Sequence, residues 1–301
     1  LILVKEQKSK IKDRFMTKRK KIILYIFGAT AFVAVALFIW ASFIEPNRLV
    51  VNEVAIKLPN FPKQLDGFKV VAIADIHGGS NSVDEEKLRY LVELTNQQQP
   101  DLIVLLGDFV SQQYFNRAKL KMDSDVVAKN INGLKAKYGV YAALGNHDWW
   151  NNGAKIRQEL EENGMKVIEN DVSPIEVNGQ TIWILGIPDF LTRQPIVLQM
   201  AMSGINKPGT IIAITHNPDI FPEVPSNISL TIAAHTHGGQ VNIPFIGSPI
   251  VPSKYGQRYV AGHVVEKGRH LFVTTGVGTS ILPLRFRVPP EIAVLTLSSA
   301  Q

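Results

Sequence analysis

Tyr138-Gly-Val-Tyr-Ala-Ala-Leu-Gly-Asn-His-Asp148 is the stretch on which the reading of this chain turns. Its first part is small and apolar and suits a strand buried on both faces. The run stops at Gly145. Asn146, His147 and Asp148 then put three polar side chains at the C-terminal end of the strand, where open α/β sheets keep their ligands. A turn explains the same residues, because Gly-Asn is a turn dipeptide and Asp a helix N-cap. What separates the two readings is whether other strands end in the same way.

Four others do. Residues 68–74 lead into Asp75-Ile-His77, 101–106 into Gly107-Asp108, 210–215 into His216, and 230–234 into His235-Thr-His237. A helix capped by Ser82 or Asp84, with Leu88, Leu91, Val92 and Thr95 at helical spacing, fills the first gap and closes at Pro100. A second helical stretch over residues 124–137 leads to the strand before Asn146. Strand, polar tip and helix, repeated, argue for α/β layers. Past Asp148 the strands outnumber the helices: 172–177 and 181–187 flank the hairpin dipeptide Asn178-Gly179, and 270–275 and 292–297 follow. The expected fold is α/β, with two mixed β-sheets packed face to face and helices outside.

Of the seven histidines, His77, His147, His216, His235 and His237 fall at these tips, leaving His263 and His270. One strand-end histidine is more often an ordinary buried polar group than a ligand. Five polar tips converging on one cleft make a site. Asp, His and Asn supply oxygen and nitrogen donors that suit Mn²⁺ first, with Fe or Zn²⁺ as alternatives. Asp108 stands between two ligand groups and is placed to bridge two ions. Two ions about 3.5–4 Å apart share a hydroxide nucleophile and clamp phosphoryl oxygens. A remaining His⁺ is then free to bind the phosphoryl oxygen or protonate the leaving group.

The charge of +6 is concentrated at one end. Residues 1–21 hold nine basic and two acidic side chains, and the remainder holds 23 and 24. A basic nucleic-acid-binding face is therefore not expected. The lack of cysteine excludes disulfides and thiolate chemistry. Residues 22–44 carry no charge. As a helix they span roughly 35 Å, against about 30 Å of hydrocarbon. This run is longer than a core helix or a signal-peptide core needs, and it reads as an uncleaved transmembrane anchor. Lys18, Arg19, Lys20 and Lys21 on its N-terminal flank place residues 1–21 in the cytoplasm and everything after Glu45 outside. Trp40 suits the outer interface. Met16, just before the basic cluster, is the expected start in place of Leu1. Residues 45–67, with three prolines, read as a linker and one extended segment, and 68–301 as the catalytic domain.

The ordered set Asp75-x-His77, Gly107-Asp108, Gly145-Asn-His-Asp148, His216 and His235-x-His237 resembles the calcineurin-like metallophosphoesterase superfamily, over residues 68–297. With the anchor, His235-Thr-His-Gly-Gly-Gln240 and Arg285-Phe-Arg-Val-Pro-Pro-Glu291, the chain looks like the bacterial membrane-associated branch, which includes UDP-2,3-diacylglucosamine pyrophosphohydrolase-like members. The resemblance implies that Asp75, His77 and His237 hold one metal, that Asn146, His216 and His235 hold the other, and that Asp108 bridges them. It further implies that His147 contacts phosphate and acts as general acid, with Asp148 orienting it. Ala234 departs from the family, which carries Gly before His-x-His; the change removes no ligand.

Residues 241–260 hold Phe245 and Tyr255 among prolines and glycines. They read as a packed loop or as an apolar lip that takes an acyl chain or rests on the bilayer. Arg285 and Arg287 are candidates for a second phosphate, since guanidinium suits bidentate contact; a solvated surface pair is the alternative. The expected activity is hydrolysis of a phosphodiester or pyrophosphate in an amphiphilic molecule, such as a lipid-linked sugar nucleotide. An extracytoplasmic phosphodiesterase or phosphatase acting on nucleotides is the second reading. A non-catalytic membrane-tethered binding protein is the third, and the complete ligand set speaks against it.

Overall fold

In the computed structural model, residues 2–113, 116, 119–194, 196 and 198–300 are described, with side chains from Met16 onward; Leu1 lies outside them. Helix α1 (Ile2–Ile39) runs into a π-helical turn at Trp40–Ile44 and a 3-10 turn at Glu45–Asn47. Met16–Asn47 is long and apolar enough to cross a membrane, and its apolar side chains point outward.

After it come β1 (Val50–Leu58), β2 (Phe68–Ile73), α2 (Glu85–Gln97), β3 (Leu102–Leu105), α3 (Ser124–Ile131), β4 (Val140–Ala142), α4 (Asn146–Asn151), α5 (Gly153–Glu162) and β5 (Lys166–Val167). The second half holds β6 (Asp171–Val177), β7 (Gln180–Gly186), α6 (Leu198–Met202), β8 (Thr210–Ile214), β9 (Leu230–Ala233), β10 (Gly262–Glu266), β11 (Arg269–Val273) and β12 (Glu291–Ser299). They form two six-stranded sheets, ordered β1-β12-β2-β3-β4-β5 and β10-β11-β9-β8-β7-β6. In the first sheet only β12 and β2 run antiparallel. In the second, β11, β9, β8 and β7 are parallel, and the two edge pairings are antiparallel.

Alternation along the strands makes the layers. Val70, Ala72 and Val104 face Ile184, Ile212 and Ile232 of the other sheet. Val71, Ile73, Ile103 and Leu105 point the other way, under α2, α3 and α5. Leu185, Ala213 and Val273 meet α6 and the Pro218–Glu223 turn on the far side. Strands covered on both faces have no polar side to show, which is why they read as unbroken apolar runs. Asp84, not Ser82, caps α2, accepting the Lys87 N–H at 2.8 Å. The hairpin turn is the expected one: Asn178 and Gly179 have φ of 51° and 75°, as a type I′ turn demands.

Two boundaries differ from the sequence reading. The extended segment expected within residues 45–67 is β1, and it belongs to the folded unit. β1 lies in parallel register with β12 from Val50↔Glu291 to Leu58↔Ser299, and Ile56, Leu58, Phe61 and Leu65 enter the inter-sheet core. The folded unit therefore reaches back to Val50. The helix expected over 124–137 stops at Ile131, where Asn132-Gly133 breaks it.

Candidate metal centre

β2, β3 and β4 are parallel in one sheet, and β8 and β9 in the other, so the polar tips that follow them gather at one edge. Their backbone is unusual. Asp75, His77, Asp108, His235 and His237 all have φ between 46° and 70°, the left-handed region, which costs a non-glycine residue roughly 1–3 kcal/mol. Such strain persists only where the surroundings fix it. Gly145 shows how closely they do: a Cβ there would lie 2.2 Å from Asp108 Oδ1.

His77 Nε2 and His237 Nε2 face each other at 3.2 Å, and His237 Nε2 is 3.6 Å from Asp75 Oδ1. His216 Nε2 is 3.1 Å from both Asn146 Oδ1 and His235 Nδ1. Asp108 Oδ2 stands between the groups, 3.4 Å from His77 Nε2 and 3.3 Å from His216 Nε2. The rings are steered from behind: His77 Nδ1 lies 3.2 Å from Val110 O and His216 Nδ1 2.7 Å from Leu106 O. A ring that donates Nδ1–H to a carbonyl presents its Nε2 lone pair inward.

All of these groups are buried. Burial pushes His77 and His235 down to about 3, pushes His237 down as well, and raises Asp75 to about 7. It is also the largest influence on His216 and opposes its charge, but Asp108, Asp75 and Asp189 together outweigh it and lift that imidazole to about 10. Against its own burial, Asp108 is held well below the usual carboxylate range by His216 and His147. Three neutral imidazoles, those of His77, His235 and His237, thus surround an ionised Asp108 carboxylate paired with His216⁺. Among the described residues, Asp75 Oδ1 and His237 Nδ1 are buried with no hydrogen-bond partner. Donors of this kind, several converging on shared points, fit divalent cations. The triads Asp75/His77/His237 and Asp108/His216/His235 are both close enough to hold an ion.

His147 is half-buried at the rim, 4.7 Å ring to ring from His77 and 4.9 Å from exposed Trp150. Its N–H donates to Asp108 Oδ1 at 2.8 Å. Its imidazole is oriented by Gln112, a residue that the sequence reading missed. Gln112 Oε1 lies 2.5 Å from Nδ1, and Gln112 Nε2 donates to His147 O at 2.7 Å. Nε2 is left toward the site, 3.4 Å from Ser280 Oγ.

Asp148 does not orient that ring. Its carboxylate accepts the N–H of Asp108 (2.8 Å), Phe109 (2.9 Å), Val110 (3.3 Å) and Gly145 (2.9 Å). It binds the β3 tip to the β4 tip. Burial and neighbouring Asp108 raise its carboxyl to about 8, and the Gly145 and Asp108 amides with His216 oppose that rise only in part. Asp189, after β7, was also missed. It is buried and accepts Leu191 N, Thr192 N and Thr192 Oγ1, and its charge favours His216⁺.

Three of the residues expected to bind substrate are not brought to the cluster. Arg285 is fully buried, and its guanidinium donates to the carbonyls of Thr275 (2.8 Å), Gly276 (3.1 Å), Gly278 (2.6 Å) and Val288 (3.2 Å). Nothing remains for a phosphate. Tyr255 packs on the outer apolar cluster of the second sheet, 5.1 Å from Tyr259. Phe245 is fully exposed at the tip of a turn closed by Ile243 N–H to Gly247 O at 2.8 Å. The Ala234 methyl is absorbed by the inter-sheet core.

Comparison with known proteins agrees with this geometry. The family model described as calcineurin-like phosphoesterase matches residues 68–239. The chain is 30% identical over 287 residues to the uncharacterized metallophosphoesterase YkuE of Bacillus subtilis, covering 93% of this chain and 98% of that one. It is 30% identical over 247 residues to the phosphodiesterase YaeI of Escherichia coli, covering 80% and 86%. It is 27% identical over 270 residues to a transmembrane protein with metallophosphoesterase domain of Danio rerio, covering 85% of this chain and 58% of that one.

Proposed function

The chain belongs to the calcineurin-like phosphoesterase family, and from that premise we propose that it is a membrane-anchored, dinuclear-metal phosphodiesterase or pyrophosphohydrolase of an amphiphilic substrate. Family membership makes it a metal-dependent phosphoester hydrolase. The observation that carries the two-ion reading is the placement of Asp108 Oδ2, 3.4 Å and 3.3 Å from a histidine of each group. Asp75, His77 and His237 would hold one ion, Asn146, His216 and His235 the other, and Asp108 would serve both. When bound, the ions, Mn²⁺ by preference, supply Lewis acidity and activate water near neutral pH.

The protein supplies alignment and a proton. Gln112 accepts from His147 Nδ1–H and fixes the ring. Protonated His147 then donates from Nε2 to the oxygen that leaves as the P–O bond breaks, and water provides the new oxygen on phosphorus. Exposed Trp150 beside His147 offers an apolar surface to the leaving group. The amphiphilic substrate, with UDP-2,3-diacylglucosamine as one member of the class, is supported by the anchor; the flanking charges favour a domain outside the cell. Full-length protein in nanodiscs, given Mn²⁺ and bis-p-nitrophenyl phosphate, is expected to turn over with two ions bound per chain and to lose activity in Asp108→Asn. No turnover with any divalent metal, or unchanged turnover in that variant, refutes the reading.

A further inference from the structure

The end of the anchor is packed onto the domain. Ala41, Ser42, Glu45 and Pro46 are buried. Ala41 O accepts the Arg285 N–H at 2.9 Å, Asn81 Nδ2 donates to Ser42 O at 2.8 Å and to Pro283 O at 2.6 Å, and Lys87 Nζ donates to Pro46 O at 3.2 Å. Ala41 and Ser42 belong to the uncharged run over residues 22–44. If that run spans the bilayer, the domain residues touching them lie at the depth of the interface.

Two neighbouring loops share that depth. Gln240 joins them: its Oε1 accepts the Ser280 N–H at 2.6 Å, its Nε2 donates to Leu282 O at 2.9 Å, and Asn242 N donates to Phe286 O at 2.9 Å. Residues 240–253 and 271–284 contain no charged side chain. They nevertheless expose large apolar ones: Phe245 at 109%, Ile281 at 79%, Ile250 at 70%, Ile246 at 62% and Leu282 at 47%. Soluble surfaces seldom gather such residues without a partner.

We propose that this face, the 243–250 turn with Ile281 and Leu282, inserts into the bilayer spanned by the anchor. The site rim is part of the same loop, since Ser280, next to Ile281, lies 3.4 Å from His147 Nε2. Insertion to about 5–10 Å, the depth typical of apolar side chains at the headgroup boundary, brings the rim to the lipid headgroups. The proposal rests on the anchor reading and does not depend on the substrate.

The chain has no cysteine, so single-cysteine variants report one position each. Full-length Phe245→Cys, Leu282→Cys, Phe32→Cys and Gln64→Cys are labelled with a polarity-sensitive fluorophore in phosphatidylglycerol/phosphatidylethanolamine nanodiscs. Phe32 lies in the anchor; exposed Gln64 precedes β2, at the end of the sheet away from Asp75. Labels at 245, 282 and 32 are expected to shift to the blue and lose most of their emission to doxyl-labelled lipid, with the label at 64 unaffected. Water-like, unquenched emission at 245 and 282 with quenching at 32 overturns the inserted face and leaves the anchor standing. Absence of quenching at 32 overturns both. Shielding that follows the protein-to-lipid ratio and ignores doxyl lipid assigns the face to a second copy of the chain, and also overturns the proposal.

Discussion

Replacing Asp148 by Asn separates two roles that this residue could serve. In the structure its two oxygens accept four backbone N–H groups: Oδ1 from Phe109 and Val110, and Oδ2 from Asp108 and Gly145. A carboxamide keeps one oxygen. Whichever way it turns, its NH₂ faces two donors, so two bonds are lost and two buried amides go unpaired. At roughly 1–3 kcal/mol for each buried amide left unpaired, the expected loss is about 2–6 kcal/mol. For a domain of this size that lowers the melting temperature by on the order of 10 °C. The amides released include that of Asp108, so metal affinity should fall with stability. Differential scanning calorimetry, isothermal titration with Mn²⁺ and the pH–rate profile, all on the full-length protein, report the three quantities. An unchanged melting temperature with intact metal binding refutes the brace. A shifted pH–rate limb at unchanged stability would instead make Asp148 the partner of the His147 ring.

Gln112→Ala is expected to lower kcat about 10–100-fold, the usual loss when a group orienting a site residue is removed. Alkyl phosphodiesters should suffer more than p-nitrophenyl ones, metal content should stay at two ions, and Gln112→Glu should restore much of the rate in the same assay. Gly145→Ala puts a methyl 2.2 Å from Asp108 Oδ1; turnover and metal stoichiometry should both drop, as measured by activity and elemental analysis. Chelation should lower the melting temperature and abolish turnover. Restoring Mn²⁺ at 100 times its dissociation constant should recover about 2.7 kcal/mol of stability per occupied site by linkage, read as a shift in the thermal transition.

The strand tips were legible because two simple signals coincide there. A strand covered on both faces is apolar without interruption, so a sudden Asp, His or Asn marks its end. Asp75, Asp108, Asn146, His216 and His235 all show this pattern. β1 was legible as an extended segment over 49–58, but its place in the core was not, because it is an edge strand whose burial begins only at Ile56 and flanking prolines suggest a linker. Gln112 was illegible for another reason. Its task exists only once the segment after Asp108 folds back on His147, and no local pattern announces a tertiary contact. Asp148 was placed correctly at the site and assigned the wrong partner, because adjacency in sequence was taken for adjacency to the ring. Arg285 was misread because a loop arginine near a phosphate site suggests a ligand contact, whereas full burial turns its donors inward.

That buried arginine links the two ends of the function. Its side chain holds the carbonyls of Thr275, Gly276 and Gly278. The two glycines lie directly against the Asp75–His77 segment: a Cβ at Gly276 would meet Asp75 Cβ at 2.6 Å, and one at Gly278 would be 2.4 Å from Ile76 O. The main chain of the same arginine donates to Ala41 O, inside the uncharged run. One residue therefore touches both the end of the uncharged run and the floor beneath Asp75. Cutting the chain before Pro46 removes the acceptors at Ala41 and Ser42, leaving Arg285 N–H and Asn81 to find water where they had carbonyls. The anchor is in this sense part of the domain's packing as well as a candidate membrane span. Activity measured on residues 46–301 alone should then fall below that of the full chain even on a small soluble diester, for which tethering to lipid offers no advantage.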